Sequence, residues 1–561
     1  MKRRLSIILT ALLFNYYSFS QPYPENYFRT PLNIPMQLVA NFGEIRPNHW
    51  HMGLDIRTQH RLNLPVYSAS EGYIARVSIT PEGFGQAIYI NHPNGMTTVY
   101  GHLNSFIPAL AKYVKQQQYL QQSWSVDLKI PSDLFPVKKG QLIALSGSTG
   151  GSEGPHLHFE IRDTKSGNNL NPLLFHLPIA DNVPPTLLRL ALYDRNKSTY
   201  EQMPKIFALK KAGANYTLSA GGIMVNSNKI SFAIGANDRL SNSNNPNGIY
   251  SARIFMDGHV VSEFTLNNIS YDDTRYINAQ VDYHYKNSGG NYVQHISPLP
   301  GDHSSVYKIF NEDGLIHLED TREHLIVIEV RDAYQNKSRL QFNIQYLPGT
   351  DEFSSTREEQ LIPNNVNIFE RDNFELNTTE NTIYDTVTAR YAPSIPITGN
   401  SISNAYSFLN ESIPVHDEVT VRIKQTATET GKPVMVNILK GKNSVSRAEI
   451  KNGWVMAKFR QFGTFQAFSD NEPPTINAPG TGDVIDLSKK NRLVFIPKDN
   501  YKSIRSFRAE IDGQWLCFTN DKGRVWIYSF EEHFPRGVHE LKLTIEDEAG
   551  NVSVKRWKVK R

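Results

Sequence analysis

The decisive stretch of this sequence is Gly147-Ser148-Thr149-Gly150-Gly151-Ser152-Glu153-Gly154-Pro155-His156-Leu157-His158-Phe159-Glu160-Ile161-Arg162. It begins with glycines, where a backbone can approach a ligand closely, and continues with the alternating residues of a β-strand. Residues i and i+2 of a strand face the same side, so His156 and His158 share a face, with Cα atoms roughly 6–7 Å apart. One imidazole can then ligate a metal while the other reaches a group bound to that metal.

Two upstream stretches supply further polar side chains: His51-Met52-Gly53-Leu54-Asp55 and Tyr100-Gly101-His102-Leu103. Together with His158, the side chains of His51 and Asp55 make a set of two imidazoles and one carboxylate. Three protein ligands leave one tetrahedral position open, which is typical of catalytic rather than structural zinc. His49 is a rival ligand two residues before His51.

These three stretches, in this order, resemble the LytM-type zinc endopeptidases of peptidase family M23. The family pattern is H-x-G-x-D, a Y-x-H-L-like segment, G-x-T-G and H-L-H. It is matched here by His51, Gly53, Asp55, His102, Gly147, Thr149, Gly150, His156 and His158. The resemblance covers about residues 42–173. It implies an antiparallel β domain whose fold is related to the barrels of lipoyl and biotinyl carriers. It also implies that this domain hydrolyses peptide bonds of the bacterial cell wall.

The resemblance also implies roles for the polar side chains. It gives Zn²⁺ as the cofactor, with His51, Asp55 and His158 as the metal ligands. It gives His102 and His156 as the catalytic pair that flanks the reacting water and the scissile carbonyl, and which of the two is the general base stays open. Glu160 lies on the same strand face as His158, where it could orient that imidazole or be a surface carboxylate.

The composition is that of a globular protein, and the N-terminal residues indicate export. Hydrophobic residues make up 39% and charged residues 20%, and the formal net charge is +4, which gives no indication of a nucleic-acid partner. Residues 1–20 have the basic start and short apolar run of a signal peptide, so we expect the periplasm, the cell envelope or the extracellular space. That run is too short to span a bilayer, and no membrane span is expected in the mature chain. Cys517 is the only cysteine, which excludes an intrachain disulfide.

An internal repeat organises the rest of the chain. His324–Ser338 aligns without a gap with His539–Ser553, and Asp181–Thr186 matches Asp470–Thr475. Two copies of one immunoglobulin-like β-sandwich are the simplest explanation, with a different strand-rich segment between them. The overall fold class is therefore mostly β, with the peptidase domain followed by three β-sandwich modules.

The predicted boundaries follow from these patterns. They are a signal peptide at 1–20, an N-terminal segment at 21–41, the peptidase domain at 42–181, the first immunoglobulin-like sandwich at 182–347 with an insertion at 259–323, a linker at 350–381, a second sandwich at 382–470, and the repeated sandwich at 471–561. A helical insertion is expected at about 107–135, where good helix formers recur at helical spacing. It could cap one end of the substrate groove or be a plain surface helix.

The sequence thus predicts a secreted zinc endopeptidase that hydrolyses amide bonds in peptidoglycan stem or cross-link peptides. Its partners would be peptidoglycan peptides, and envelope proteins that bind through the sandwich modules. Two alternatives belong to other classes. One is a catalytically silent relative that regulates other wall hydrolases. The presence of all five polar residues of the family pattern argues against this alternative. The other is an envelope adhesin or scaffold in which the sandwiches carry the function.

Overall fold

A computed structural model describes residues 23–213, 215–349, 358–428 and 430–561. Strands dominate these ranges, which confirms the predicted mostly β class. The predicted signal peptide lies outside the described residues. Of the helices in the described ranges, none combines the length and the apolar character that a membrane crossing needs.

The N-terminal domain contains helix α1 (Pro108–Gln121) and strands β1 (Leu38–Ala40), β2 (Ile45–Arg46), β3 (His49–Trp50), β4 (Leu54–Arg57), β5 (Pro65–Tyr67), β6 (Gly72–Ile79), β7 (Gln86–Asn91), β8 (Met96–Gly101), β9 (Leu103–Phe106), β10 (Val126–Lys129), β11 (Pro136–Val137), β12 (Leu142–Ser146), β13 (His156–Asp163) and β14 (Asn169–Leu170). Its main sheet has the order β1-β4-β13-β8-β7-β6-β10, and a smaller sheet has the order β5-β12-β9. The inner faces of both sheets supply one hydrophobic core. The central strands β4, β13 and β8 carry the candidate site.

The N-terminal segment is part of this domain. Phe28, Leu32 and Leu38 are buried in the same core as Leu54 and Phe159, and β1 pairs with β4. The predicted boundary at residue 42 is therefore too late. Apolar residues spaced irregularly among prolines form no strand or helix pattern, so the sequence did not reveal that this segment packs on the sheet.

Helix α1 confirms the helical insertion predicted between β9 and β11. It begins at Pro108, a position at which a backbone N–H would have no partner within the helix. It ends at Gln121, and the next residue, Gln122, adopts the left-handed conformation. Leu110, Val114 and Gln118 recur every four residues and form its buried face. The opposite face meets the C-terminal module, where the Tyr119 ring stacks on His533 with centroids 3.7 Å apart. The helix is thus an inter-domain contact, which neither sequence-based alternative included.

The first sandwich module contains helices α2 (Ile277–Gln280) and α3 (Tyr283–Asn287), and strands β15 (Thr186–Asp194), β16 (Lys205–Ala212), β17 (Asn215–Leu218), β18 (Ile223–Val225), β19 (Lys229–Asn237), β20 (Ser251–Met256), β21 (His259–Thr265), β22 (Gln294–His295), β23 (Tyr307–Ile309), β24 (Ile316–His317), β25 (Glu323–Arg331) and β26 (Lys337–Tyr346). Its strands follow the order β22-β19-β15-β16-β17-β26-β25-β20-β21-β23, and β18 pairs with β26. The insertion between β21 and β25 lies against the N-terminal domain.

The middle module contains strands β27 (Gln360–Leu361), β28 (Ile368–Arg371), β29 (Phe374–Asn377), β30 (Val387–Thr388), β31 (Tyr391–Ser394), β32 (Ala405–Phe408), β33 (Val419–Lys424), β34 (Lys432–Ile438), β35 (Ser444–Arg447), β36 (Glu449–Lys451), β37 (Trp454–Phe459) and β38 (Gly463–Asp470). They form two five-stranded sheets of order β28-β29-β33-β37-β36 and β31-β32-β38-β34-β35. The predicted linker at 350–381 is therefore wrong over β27, β28 and β29. In β29 only Phe374 and Leu376 face the core, and two inward residues among polar neighbours were too few to indicate a strand.

The C-terminal module contains strands β39 (Val484–Asp486), β40 (Arg492–Phe495), β41 (Ile504–Ile511), β42 (Gln514–Trp515), β43 (Trp526–Ser529), β44 (Val538–Asp547) and β45 (Val552–Lys560). Its main sheet has the order β39-β45-β44-β41-β42, in which β39 runs parallel to β45. The first sandwich repeats this arrangement as β18-β26-β25-β20-β21, again with one parallel pair. The two segments aligned by sequence thus share the order of these five strands, while the first segment adds further strands to its sheet.

We predict that Tyr119→Ala loosens the C-terminal module from the N-terminal domain. The substitution removes the ring stacked on His533 and the hydroxyl that donates to Glu531. A double-mutant cycle with His533→Ala should give a coupling of about 0.5–1.5 kcal/mol, as for other aromatic pairs. Limited proteolysis around residues 471–480 should accelerate in Tyr119→Ala. Leu120→Ala is the matched control because Leu120 is 77% exposed on the same helix, and equal acceleration in both variants would contradict the contact.

Candidate metal centre

Strand register brings the candidate site together. In the antiparallel pair of β4 and β13, Asp55 lies opposite His158, and on the other side of β13, His158 lies opposite Gly101 of β8. Gly53 makes room for this arrangement. A Cβ on Gly53 would lie 2.8 Å from His158 Nε2 and 2.6 Å from a backbone oxygen, so no residue larger than glycine fits at position 53.

Asp55 is the centre of the cluster. Its Oδ1 lies 2.9 Å from His158 Nδ1, 3.1 Å from His51 Nε2 and 3.4 Å from His156 Nε2. His51, Asp55 and His158 are 5–7% exposed. Burial raises the pKa of Asp55, but the surrounding histidines outweigh this effect and hold the pKa well below its ordinary value. Asp55 is therefore an ionised acceptor in a dry site.

Fixed hydrogen bonds set the tautomers of the two neighbouring imidazoles. His51 Nδ1 donates to the carbonyl of Asn41 at 2.7 Å, and His158 Nε2 donates to Glu160 Oε1 at 3.0 Å. The remaining nitrogens, His51 Nε2 and His158 Nδ1, face each other at 3.2 Å with their lone pairs directed inwards. A cation at this point, either a metal ion or a proton on one of the two nitrogens, relieves the repulsion between the lone pairs.

The three donor atoms suit a zinc ion. Zinc–nitrogen bonds of about 2.0–2.1 Å in a tetrahedral arrangement separate neighbouring donors by about 3.3 Å. The observed separations of 2.9–3.2 Å between His51 Nε2, His158 Nδ1 and Asp55 Oδ1 are close to that value. Two imidazoles with one carboxylate is also a donor set that zinc accepts in catalytic sites.

Glu160 and Arg162 support His158 from behind. Burial raises the pKa of Glu160, but the Arg162 guanidinium at 2.6 Å and the His158 ring outweigh it and lower the pKa to about 2. Burial lowers the pKa of His158, but Asp55 and Glu160 raise it to about 9. The sequence left open whether Glu160 orients the His158 imidazole or is a surface carboxylate. Because Glu160 is fully buried, the structure favours the orienting role.

His102 and His156 lie together on the open side of the cluster, with ring centroids 4.7 Å apart. His102 Nδ1 is 2.8 Å from the Thr149 carbonyl, and His156 Nδ1 is 2.9 Å from the Gly154 carbonyl, so both Nε2 atoms are left for other partners. Burial, reinforced by the other histidines, lowers the pKa of His102 to about 3, which keeps this ring neutral at pH 7. His102 also has a φ of 57°, a left-handed conformation that a non-glycine residue adopts at some cost.

Residues from other modules complete the surroundings of the site. The Tyr271 hydroxyl, from the insertion of the first sandwich, donates to Glu160 Oε1, and Asn41 Nδ2 donates to the Gly248 carbonyl at 2.8 Å. From the C-terminal module, Asp521 Oδ1 accepts from the Gly150 amide at 2.7 Å, and the Lys522 ammonium donates to carbonyls of the glycine-rich loop. Sequence reasoning missed these residues because no motif surrounds them and they lie over a hundred residues from their partners.

The other histidines lie apart from the cluster. The rival ligand His49 is exposed, and its Nδ1 bonds to the Pro47 carbonyl at 2.9 Å. His92 is buried between the Glu71 carbonyl and the Thr98 hydroxyl, a structural position. Among the described residues, the only histidine-containing group with three potential ligand atoms within 4.8 Å of one another is His51, Asp55 and His158.

Two family models match the chain. Residues 49–126 and 135–172 match the model of peptidase family M23, and residues 358–470 match that of a Zu5-like domain. The first match contains all five candidate site residues. The second begins close to β27 and ends with β38, so it spans the middle module including the strands that the sequence analysis assigned to a linker.

Curated relatives share the same part of the chain. An uncharacterized metalloprotease of Haemophilus influenzae is 34% identical over 136 residues, 24% of this chain and 22% of the relative. The DD-carboxypeptidase/endopeptidase Mpg of Neisseria meningitidis is 31% identical over 128 residues, 23% of each chain. The peptidoglycan DD-endopeptidase ShyA of Vibrio cholerae is 30% identical over 134 residues, 24% of this chain and 25% of the relative. The matched stretch therefore spans only about a quarter of the length of these proteins.

Among solved structures, a zinc-containing peptidase from Vibrio cholerae is 26% identical and covers 28% of this chain and 41% of that chain, with a TM-score of 0.21. The family model and the relatives named as metalloproteases or endopeptidases converge on the domain in which the His–Asp–His cluster lies. The resemblance inferred from the motifs is thereby confirmed, and this chain contains a peptidase family M23 domain.

Proposed function

We propose that the M23 domain is a zinc-dependent endopeptidase that hydrolyses amide bonds in peptidoglycan stem or cross-link peptides. The observation that supports this most directly is the convergence of His51 Nε2, His158 Nδ1 and Asp55 Oδ1, which lie 2.9–3.2 Å apart, with two further histidines on the open side. The relatives named as peptidoglycan DD-endopeptidases support the substrate class. The signal-like N-terminal stretch supports export to the periplasm or the cell envelope.

In this proposal His51, Asp55 and His158 hold the metal. Zinc supplies a Lewis acid that makes water more acidic and polarises a carbonyl. Asn41 and Glu160 each accept the proton of the outer ring nitrogen, so His51 Nε2 and His158 Nδ1 are the nitrogens that would bind the metal. The ligand set is thus preorganised by hydrogen bonds that exist without the substrate.

His102 and His156 handle protons in this proposal. His102 stays neutral because of its lowered pKa, and its Nε2 can accept a proton from the attacking water. His156 Nε2 lies 3.4 Å from the Asp55 carboxylate, beside the proposed ligands, and in its imidazolium form this ring can donate to the oxyanion that develops on the scissile carbonyl. The glycine-rich loop orients both rings through the Thr149 and Gly154 carbonyls.

The decisive experiment is to incubate the protein with purified peptidoglycan and identify released fragments by mass spectrometry. We expect new peptide amine and carboxyl ends that depend on zinc and disappear after chelation. Binding to peptidoglycan without any fragment, by zinc-loaded protein, would instead favour the silent regulator. No binding and no fragment would favour the adhesin or scaffold.

We predict different effects for the two histidines of β13. His158→Ala removes a ligand, so both zinc content and activity should be lost. His156→Ala leaves the three ligands in place, so zinc should remain close to one per chain while kcat/KM falls by about 10²–10⁴-fold, the usual contribution of a proton-transfer residue. Elemental analysis of dialysed protein measures zinc, and equal zinc loss in both variants would contradict this division of roles.

We predict that Glu160 acts on metal affinity through His158. Glu160→Gln keeps an acceptor for His158 Nε2 but removes the charge, so zinc affinity should fall by about 10–100-fold. Tyr271→Phe is the matched control because it removes a hydroxyl that donates to the same Glu160 oxygen while the carboxylate charge stays, and its effect should be smaller. Competition with a chromogenic chelator gives both affinities, and unchanged affinity in Glu160→Gln would show that Glu160 does not support the ligand.

A further inference from the structure

Three aspartates converge where the M23 domain passes into the first sandwich. Asp181 ends the connection from the M23 domain, Asp238 directly follows β19, and Asp332 directly follows β25. One carboxylate oxygen from each lies within 4.8 Å of one from each of the others. Three chain segments far apart in sequence thus present carboxylates to one point.

Two oxygens of this cluster are buried without a partner. Asp238 is only 3% exposed, and neither its Oδ1 nor Asp181 Oδ2 accepts a hydrogen bond from any described residue. The charges that act on Asp238 within the described ranges come from Asp181 and Asp332, and both are negative. A buried carboxylate oxygen without a donor or a cation is strongly unfavourable, so the cluster requires a positive charge.

The electrostatics agree with this requirement. Burial, reinforced by the neighbouring carboxylates, raises the pKa of Asp238 to about 7 and that of Asp332 to about 6. Without a cation, burial and the neighbouring carboxylates therefore favour proton binding by Asp238 and Asp332. A divalent cation would relieve the same repulsion while all three carboxylates stay ionised.

The donor atoms indicate which cation. All are carboxylate oxygens from irregular loops, with no nitrogen or sulfur, a set that hard cations bind and zinc does not prefer. Calcium takes six to eight oxygens at about 2.3–2.6 Å, so two oxygens on one calcium ion can lie up to about 5 Å apart. The three oxygens lie within 4.8 Å of one another, so one calcium ion can contact all of them. Magnesium demands shorter and more regular contacts and keeps several waters, which suits a buried set of carboxylates from three separate chain segments less well.

We propose that Asp181, Asp238 and Asp332 bind one calcium ion, which fastens the first sandwich to the M23 domain. The two sandwich loops that carry Asp238 and Asp332 also touch that domain directly. Leu240 belongs to the M23 hydrophobic core, and Ala333 and Tyr334 pack against it. The ion therefore holds together a connection and two loops that already form the junction.

The C-terminal repeat provides an internal comparison. Its Asn551 amide donates to the Asp470 carbonyl at 3.3 Å and to Asp547 Oδ2 at 3.0 Å, as Asn336 donates to the Asp181 carbonyl at 3.3 Å and to Asp332 Oδ2 at 2.8 Å. The third aspartate differs in its surroundings.

In the C-terminal copy, the counterpart of Asp238 is Asp499. Its Oδ2 accepts from the Tyr501 amide at 2.8 Å, and Asn500 Nδ2 donates to Asp470 Oδ1 at 2.9 Å. Asp499 Oδ1 and Asp470 Oδ2 are buried without a partner, as in the first copy, but among the described residues Asp470, Asp499 and Asp547 do not bring one oxygen each within 4.8 Å of one another. We therefore expect the tight calcium site at the first junction only.

The test uses the full-length, zinc-loaded protein in buffer freed of calcium. Titration with CaCl₂ in a calorimeter should show one tight site, and saturating CaCl₂ should raise the Tm by several degrees where equal MgCl₂ does not. Asp238→Asn and Asp181→Asn keep the shape of the side chain and remove one charge, so each should abolish the tight site and the Tm increase. Asp499→Asn and the exposed Asp372→Asn are matched controls and should retain both.

Three results would overturn the proposal. One is a wild-type protein that binds no calcium at millimolar CaCl₂, a result that does not depend on any variant folding. Another is an unchanged calcium site in Asp238→Asn. The third is an Asp238→Asn protein that is more stable than wild type in calcium-free buffer while CaCl₂ has no effect on wild type, which would identify a proton-sharing cluster. Zinc content measured on the same samples separates these outcomes from any failure of the proposed peptidase activity.

Discussion

The pairing of β4 with β13 is the constraint on which the rest of the site depends. Leu54 and Ile56 of β4 and Leu157 and Phe159 of β13 are almost completely buried in the core. Because strand side chains alternate, the register that buries these four directs Asp55, His156 and His158 to the opposite face. A slip by one residue would turn the polar set into the core. Hydrophobic packing thus enforces the geometry of the candidate metal centre.

The same alternation places a row of ion pairs along one face of β13. His158, Glu160 and Arg162 follow each other at every second residue, and each pairs with its neighbour at 2.6–3.0 Å. Opposite charges in sequence along a buried strand face satisfy one another, so no member is left as an uncompensated charge. The strand therefore supplies the ligand, the group that orients it and the group that keeps that orienting carboxylate ionised.

The sequence was sufficient for the parts of the fold that local patterns encode. The His-x-Gly-x-Asp and His-x-His motifs indicated the candidate metal ligands because each lies on one strand or turn, and helix α1 followed from helix formers at regular spacing. The linker prediction failed because β28 and β29 are only four residues long, with one core-facing residue in β28 and two in β29. Tyr271, Asp521 and Lys522 could not be foreseen because their importance comes only from contacts between modules, and single side chains in loops have no periodicity to detect.

These contacts link the first sandwich module to a residue of the candidate metal centre. Asn41 accepts the His51 proton at its carbonyl, and its side chain exchanges two hydrogen bonds with Gly248 of the first sandwich. Gly248 follows Asn247, whose backbone pairs with that of Asp238 in both directions at 2.9 Å. The acidic cluster and the His–Asp–His cluster are therefore joined by a short run of hydrogen-bonded residues at one junction.

A module that only tethers a catalytic domain needs a flexible connection and leaves the geometry of that domain unchanged. Here one sandwich positions the residue behind a metal ligand, and another holds the glycine-rich loop through Asp521 and Lys522. The same loop anchors His102 and His156 through its carbonyls. Displacing either module would therefore remove hydrogen bonds that set the orientation of site residues. The modules are structural components of the site, and their docking is a requirement for its geometry rather than a separate function added to it.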